Sequence, residues 1–351
     1  MARDFPLCLG RILLGLLKMD RWSSTGDFER EEIMTRENSW EGKKTIGREV
    51  NSSVFPQLTS PGPSKREPIA GWKGFRYAMC NESMQGMKWV EQCELLAKAG
   101  YRGIEIAPFS LVRNGIQEMT ARKRQAMVSA MKNAGIECVG LHWLLSPPPQ
   151  GLHVTIPDGK VRARTLEYLH KLIDFCGDLG GKVMVFGSPK GRNAVKGVSV
   201  REATKYLVES LTRMAEHAQE RGVRILLEPL AQNQTNVVNT TAEAIEIIQE
   251  VHHPALQTMF DFHNSVGEKM PFHEIIEKYS SRIYHVHVQE MDGKYLGAGN
   301  GRKDFAKAFQ TLKDLHYDGW VSLEVFDFSP GPKTIAKESM KALKAIEGKL
   351  R

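Results

Sequence analysis

The chain has 351 residues, which suits one large domain with an appendage or two modest domains. Hydrophobic residues make up 41% and charged residues 25%, a balance that can bury a full core. No run of about 18 apolar residues occurs, which excludes a transmembrane helix, and the formal charge of +7 comes from Lys and Arg scattered among acids, which reads as a solvated surface and not as a nucleic-acid interface.

Residues 1–70 stand apart from the rest. An apolar stretch from Leu7 to Leu17 is interrupted by Arg11, and a charged, Ser- and Pro-containing stretch follows, ending in SPGPSKREP. The stretch has the length of a signal-peptide core, but it carries Arg11 and no A-x-A-like cleavage site follows closely. It is read as a poorly ordered N-terminal extension, with an export or organellar signal as the alternative to a cytoplasmic location. The five cysteines, Cys8, Cys80, Cys93, Cys138 and Cys176, include no C-x-x-C pair. That argues against a disulfide framework or a structural zinc site and for small buried hydrophobes in a reducing compartment.

Residues 71–351 have a rhythm. Helix-like stretches run into a glycine and then into an apolar, β-branched run, as in AKAGYRGIEIA, KNAGIECVGLHW, DLGGKVMVFG and ERGVRILLEPL. A glycine just past a helix lets the chain turn left-handed before a strand. Eight strands are predicted: Phe75–Cys80, Gly103–Ile106, Glu137–His142, Lys182–Phe186, Arg224–Glu228, Leu256–Asp261, Ile283–Val288 and Trp320–Val325. Amphipathic segments between them include Met87–Ala99, Ala121–Ala134, Val161–Asp178, Val200–Arg221, Ala242–Val251 and Ala306–Leu315, with a capping box at Thr240-x-x-Glu243. Strand–helix alternation with doubly apolar strands predicts a parallel sheet covered by helices. Eight such units in about 280 residues fit a closed (β/α)8 TIM barrel, and no GxGxxG follows the first strand to support a dinucleotide fold.

Chemistry on such a barrel collects at the C-terminal ends of the strands. Four successive strands end in ILLEPL, TMFDFHN, IYHVHVQE and VSLEVF, which places Glu228, Asp261, His287 and Glu324 around one rim. His285 shares a strand face with His287, because side chains alternate. Singly, each residue is as easily a solvated rim group or a satisfied core histidine. Together, three carboxylates and an imidazole form a mixed O/N ligand set that suits Mn²⁺, Co²⁺, Mg²⁺ or Zn²⁺ better than a metal that prefers soft thiolates. Crowded carboxylates repel, and a divalent cation removes that penalty.

The motifs LLEPL, FDFHN, HVHVQE and SLEVF, in this order, resemble the xylose isomerase-like barrel superfamily, and within it the sugar phosphate isomerase/epimerase group that includes ketose 3-epimerases. The resemblance runs from about Arg76 to the C-terminus. It implies one Mn²⁺- or Co²⁺-type ion held by Glu228, Asp261, His287 and Glu324, with Glu228 and Glu324 also exchanging protons with the substrate. A small keto-sugar or sugar phosphate is the implied partner, with no nucleic acid or membrane. Either a monomer or a homo-oligomer is compatible. The chain departs from the family in three places. A family Glu six residues after the first metal Glu is Gln234 here. A family His three residues after the metal Asp has its nearest counterpart in His263, two residues after. A family Arg in the loop after the metal His is matched only by Lys294.

Further substrate-binding candidates are Glu105 and His142 at the ends of strands two and three, and Lys190 and Arg192 in the basic loop GSPKGR, which could take a phosphate or carboxylate. Each has an ordinary structural alternative, a buried hydrogen bond for the first two and an exposed loop for the others. Trp143 is expected to cover a sugar face or to pack in the core. The competing functions are a dehydratase or lyase on a cyclic keto-sugar of inosose type, an AP endonuclease, and a non-catalytic sugar-binding barrel. The endonucleases need extra ligands in a D-x-H motif, where this chain reads Asn300-Gly301-Arg302.

Overall fold

The computed structural model describes residues 72–299 and 303–351. The expected N-terminal extension, Cys8 and the Asn300-Gly301-Arg302 stretch lie outside the described residues.

The strands are β1 (Arg76–Cys80), β2 (Gly103–Ile106), β3 (Glu137–Leu141), β4 (Val183–Phe186), β5 (Arg224–Leu227), β6 (Leu256–Asp261), β7 (Ile283–Val288) and β8 (Trp320–Leu323). They pair in sequence order, and β1 also pairs in parallel with β8, so the sheet closes into a barrel. The helices are α1 (Trp89–Ala99), α2 (Ala121–Ala134), α3 (Gly159–Asp178), α4 (Val200–Glu220), α5 (Thr241–Val251), α6 (Phe272–Tyr279), α7 (Lys303–Asp314) and α8 (Pro332–Glu347). A short turn, Pro189–Arg192, follows β4. No helix among the described residues is long and apolar enough to cross a membrane.

The glycine punctuation acts as expected. Gly100, Gly135, Gly180 and Gly222 all have positive φ between a helix and the next strand. At the start of α5, Thr240 accepts from the Glu243 backbone while Glu243 reaches back to the Thr240 amide. Strand ends differ from expectation at the mouth. His142, Glu228 and Glu324 lie just past β3, β5 and β8, although each backbone amide still donates to the neighbouring strand, at 3.0, 3.2 and 3.3 Å. The chain is leaving the sheet where these side chains begin to point into the mouth.

Two apolar clusters hold the barrel. The larger fills the layer between sheet and helices. The smaller, Ala78, Val139, Val183, Val185, Leu226 and Met259, fills the barrel interior, with Tyr284 and Trp320 packed against it. Arg76 stacks on Trp320 and Arg224 on Tyr284, with the guanidinium carbons 3.9 and 4.5 Å from the ring centres. Side chains two residues apart share a strand face. The residues two further along than Ala78, Leu226 and Met259 are Cys80, Glu228 and Asp261. One step up each strand, about 7 Å, turns an apolar floor into a polar layer. Cys80, Cys93, Cys138 and Cys176 are all free and buried, as small hydrophobes would be.

Candidate metal centre

Glu228, Asp261, His287 and Glu324 each offer a ligand atom, and these atoms all lie within 4.8 Å of one another. All four are buried. Asp261 and His287 are register partners across β6 and β7, so their convergence follows from strand pairing. His287 Nδ1 lies 3.2 Å from Glu324 Oε2 and 3.9 Å from Asp261 Oδ2. It makes no hydrogen bond.

The other ring nitrogen of His287 explains this orientation. Nε2 lies 3.0 Å from Glu105 Oε1, while Glu105 Oε2 lies 2.8 Å from His285 Nε2. An ionised carboxylate only accepts, so His287 donates through Nε2. Nδ1 is thereby aimed at the three carboxylates, as in carboxylate–histidine–metal arrangements. Burial alone would raise the Glu105 carboxyl, but His285 and His287 outweigh it and hold Glu105 well below the usual range. Glu105, expected as a possible substrate contact, thus has both oxygens engaged beneath the centre.

The electrostatics of the quartet call for a cation. Burial, then Asp261 and Glu324, push the Glu228 carboxyl well above its ordinary range. Burial and Glu324 push Asp261 up as well. Burial also opposes the charge on Glu324, but His287, His142 and the Trp143 indole outweigh it and leave its pKa lowered. Burial would lower His287, but Glu105 and Glu324 hold its imidazole well above the usual histidine range. The carboxylates thus favour positive charge between them. A divalent cation with oxygen and nitrogen donors satisfies the same demand, so the residues fit a metal.

Backbone geometry shapes the rim. Gly187, just past β4, lies under Glu228, and a Cβ there would sit 2.1 Å from Glu228 Oε2. Trp143 has φ 51°, a left-handed conformation rare for a bulky residue. Its indole donates to Glu324 Oε1 at 2.7 Å. The ring also packs against Phe109 and Phe326, with centroids 5.6 and 6.1 Å away, and Phe326 lies 5.1 Å from the His263 ring. These rings form an apolar wall beside the quartet.

The remaining predicted residues take different places. His142 is buried, with Nε2 2.9 Å from Glu82 Oε2. His263 is half-buried and its backbone N–H donates to Asp261 Oδ1 at 2.6 Å. Gln234 donates to Asn264 Oδ1 at 2.5 Å. Lys190 and Arg192 are not presented together, contrary to the expectation of a basic mouth loop. Lys190 is exposed, whereas Arg192 is fully buried and donates to the carbonyls of Phe186 and Val238 at 3.0 and 3.3 Å. Both terminal nitrogens of its guanidinium are engaged with backbone, and the group is closed off from solvent.

Sequence reasoning missed Glu82, Asn264 and Gly187. Glu82 lies two residues past β1, so the strand-end argument carried two residues beyond strand one would have found it. Asn264 occupies the position three residues after Asp261 where the family has a His. Gly187 ends an apolar run without a helix to cap, which distinguishes it from the punctuating glycines.

A closed parallel barrel with a carboxylate–imidazole quartet at the ends of four successive strands defines a class of α/β barrels with a candidate metal centre at the mouth. This chain belongs to the xylose isomerase-like TIM barrel family, which matches residues 93–346. It is 30% identical over 174 residues to the L-ribulose 3-epimerase of Methylomonas sp. (strain DH-1), covering 49% of this chain and 60% of the relative. It is 23% identical over 144 residues to the fructoselysine 3-epimerase of Escherichia coli O157:H7, covering 40% and 52%. The chain thus spans about half to three fifths of the length of these curated relatives. Among solved structures, the D-psicose 3-epimerase of Clostridium cellulolyticum H10 superposes with a TM-score of 0.69 at 20% identity, over 79% of this chain and 100% of that one. The 3-keto-D-glucoside 4-epimerase of E. coli does so with a TM-score of 0.67 at 19% identity, over 78% and 100%. At these identities the likeness establishes the fold.

Proposed function

We propose that this chain is a divalent-metal-dependent epimerase or isomerase of a keto-sugar or sugar phosphate. The observation that carries this reading is the buried convergence of Glu228, Asp261, His287 and Glu324 within 4.8 Å. Ketose 3-epimerases among the curated relatives support the substrate class. Glu228, Asp261, His287 and Glu324 would hold the ion, with Mn²⁺ or Co²⁺ the ions that the family resemblance implies and the donors accommodate. When bound, the ion polarises the ketone and stabilises the enediolate that forms on proton loss.

The chain's own residues then do the rest. Glu228 and Glu324 are the proton-transfer pair: one carboxylate removes the hydrogen next to the ketone and the other returns one. Return to the opposite face of the same carbon epimerises, and return to the neighbouring carbon isomerises. Trp143 holds Glu324 through Oε1, which fixes the reach of that carboxylate. Glu105 fixes the ring of His287 from below. The wall of Phe109, Trp143 and Phe326 offers an apolar surface to the C–H face of a sugar.

The test is incubation of the protein, loaded with Mn²⁺ or Co²⁺, in D₂O with a panel of free and phosphorylated ketoses and an inosose, followed by NMR. Deuterium next to the ketone, with an epimer or aldose as product, is the expected result. No exchange with any panel member overturns the proton-transfer reading, and a dehydrated product moves the chain to lyase chemistry.

A further inference from the structure

Asn264 opens the short helical turn after β6 and is 3% exposed. Its amide nitrogen lies 3.0 Å from Glu228 Oε1 and 3.0 Å from Asp261 Oδ2. Its backbone N–H donates to Asp261 Oδ1, also at 3.0 Å. One neutral residue thus bridges two buried carboxylates that repel each other. Chemistry fixes the orientation of this amide. Carboxylates that ligate a cation are ionised and accept only, so in that role the nitrogen must face them and Oδ1 must face away. On that far side the Gln234 amide nitrogen donates to Asn264 Oδ1 at 2.5 Å. Gln234 therefore has its own orientation dictated as well.

We propose that Asn264 is a positioning residue that clamps Glu228 and Asp261 together as metal ligands, and that Gln234 locks the clamp by fixing its polarity. The inference rests on the metal reading given above. A carboxylate at position 234 would set an acceptor against the Asn264 carbonyl. The amide would then have to turn, bringing its oxygen onto Glu228 and Asp261. A His at 264 would instead have a ring N–H for a carboxylate and would tolerate a Glu beyond it. Gln with Asn, and Glu with His, are each self-consistent pairs, while Glu with Asn is not.

The experiment is isothermal titration of Mn²⁺ into chelator-treated, dialysed protein, alongside the melting temperature of the metal-free form. Wild type is expected to bind one Mn²⁺. Gln234→Glu is expected to weaken that affinity about 10–100-fold, the usual effect of losing an outer partner of a metal ligand. Its metal-free melting temperature should stay close to that of wild type. Asn264→Leu should weaken binding at least as much, and Gln234→Glu with Asn264→His should recover about tenfold or more relative to Gln234→Glu alone. A merely structural role would lower the metal-free melting temperature and leave the dissociation constant unmoved. Wild-type affinity in Gln234→Glu, or no recovery in the double variant, overturns the clamp. If Asn264→Leu does not fold, the near-isosteric Gln234→Glu and its double variant decide the matter. If wild type binds neither Mn²⁺ nor Co²⁺, the metal reading itself fails and takes the clamp with it.

Discussion

Adding one carbon at Gly187 tests whether the placement of Glu228 matters to the chemistry. The backbone there lies outside the left-handed region, so alanine brings no conformational strain. The new Cβ would stand 2.1 Å from Glu228 Oε2, where contacts under 3.0 Å essentially never occur. The next neighbour, Leu230, is 3.7 Å away and need not move. The carboxylate must therefore retreat by about 1 Å, and a misplacement of that size at a reacting group can cost about 100-fold in rate. That corresponds to about 3 kcal/mol in the barrier. Folding should not suffer, because replacing Gly with Ala at a compatible site narrows the unfolded ensemble by about 0.4–1 kcal/mol. Gly187→Ala should thus melt at or above the wild-type temperature in chelator, gain less on adding Mn²⁺, and lose about two orders of magnitude in deuterium exchange into its ketose substrate. Wild-type exchange and a wild-type Mn²⁺ shift in this variant would show that Glu228 does not work from the position described.

The quartet makes further demands that can be measured. Glu228 has a folded pKa raised above its unfolded value of about 4.3, so its contribution to stability is fully present below that pH and is lost as pH rises through the folded pKa. Glu228→Gln should therefore raise the melting temperature of the metal-free protein at pH 7 while abolishing the Mn²⁺ shift, and a lower melting temperature there would contradict the electrostatics. For the same reason wild-type Mn²⁺ affinity should climb with pH above the ordinary carboxylate range, as titrations between pH 5 and 8 would reveal. Trp143→Phe keeps the ring wall but removes the 2.7 Å bond to Glu324, so kcat should fall about tenfold with KM little changed. Arg192→Met should cost about 2 kcal/mol in chemical denaturation, because the Phe186 and Val238 carbonyls each lose a charged donor while keeping the backbone N–H of Glu228 and of Leu230, whereas Lys190→Ala should leave stability and exchange unaltered.

The fold was legible because two signals agree along the chain. Glycines after amphipathic stretches mark the returns to β2, β3, β4 and β5, and the strands are apolar on both faces because helices cover one and the barrel interior the other. The quartet was legible for a related reason: a charged residue ending an apolar strand breaks the pattern, and four such breaks fall in a row. What could not be read lies in angles and not in residue types. Nothing in WLL announces that Trp143 turns left-handed and sends its indole to Glu324. Nothing in GSPKGR tells that Arg192 folds inward onto Phe186 and Val238 while Lys190 stays in solvent. The alternation rule placed His285 and His287 on one face, but it could not reveal that Glu105, some 180 residues earlier, binds both.

This last contact explains how a barrel tolerates so many buried charges in one layer. Glu105 takes a hydrogen bond from each of two histidines, so one anion serves to orient His287 and to raise its basicity. His142 and Glu82, just past β3 and β1, form a second carboxylate–imidazole pair. The polar layer is thus a set of carboxylate–imidazole couples standing on an apolar floor, and only Glu228 and Asp261 have no imidazole within hydrogen-bonding distance. Both are pushed upward in pKa, as burial also pushes Glu82, and they are the pair that Asn264 bridges with a neutral amide. A neutral bridge orients the pair without cancelling its charge. The uncompensated charge is therefore concentrated where a cation would have to bind, on the side of the mouth formed by β5 and β6.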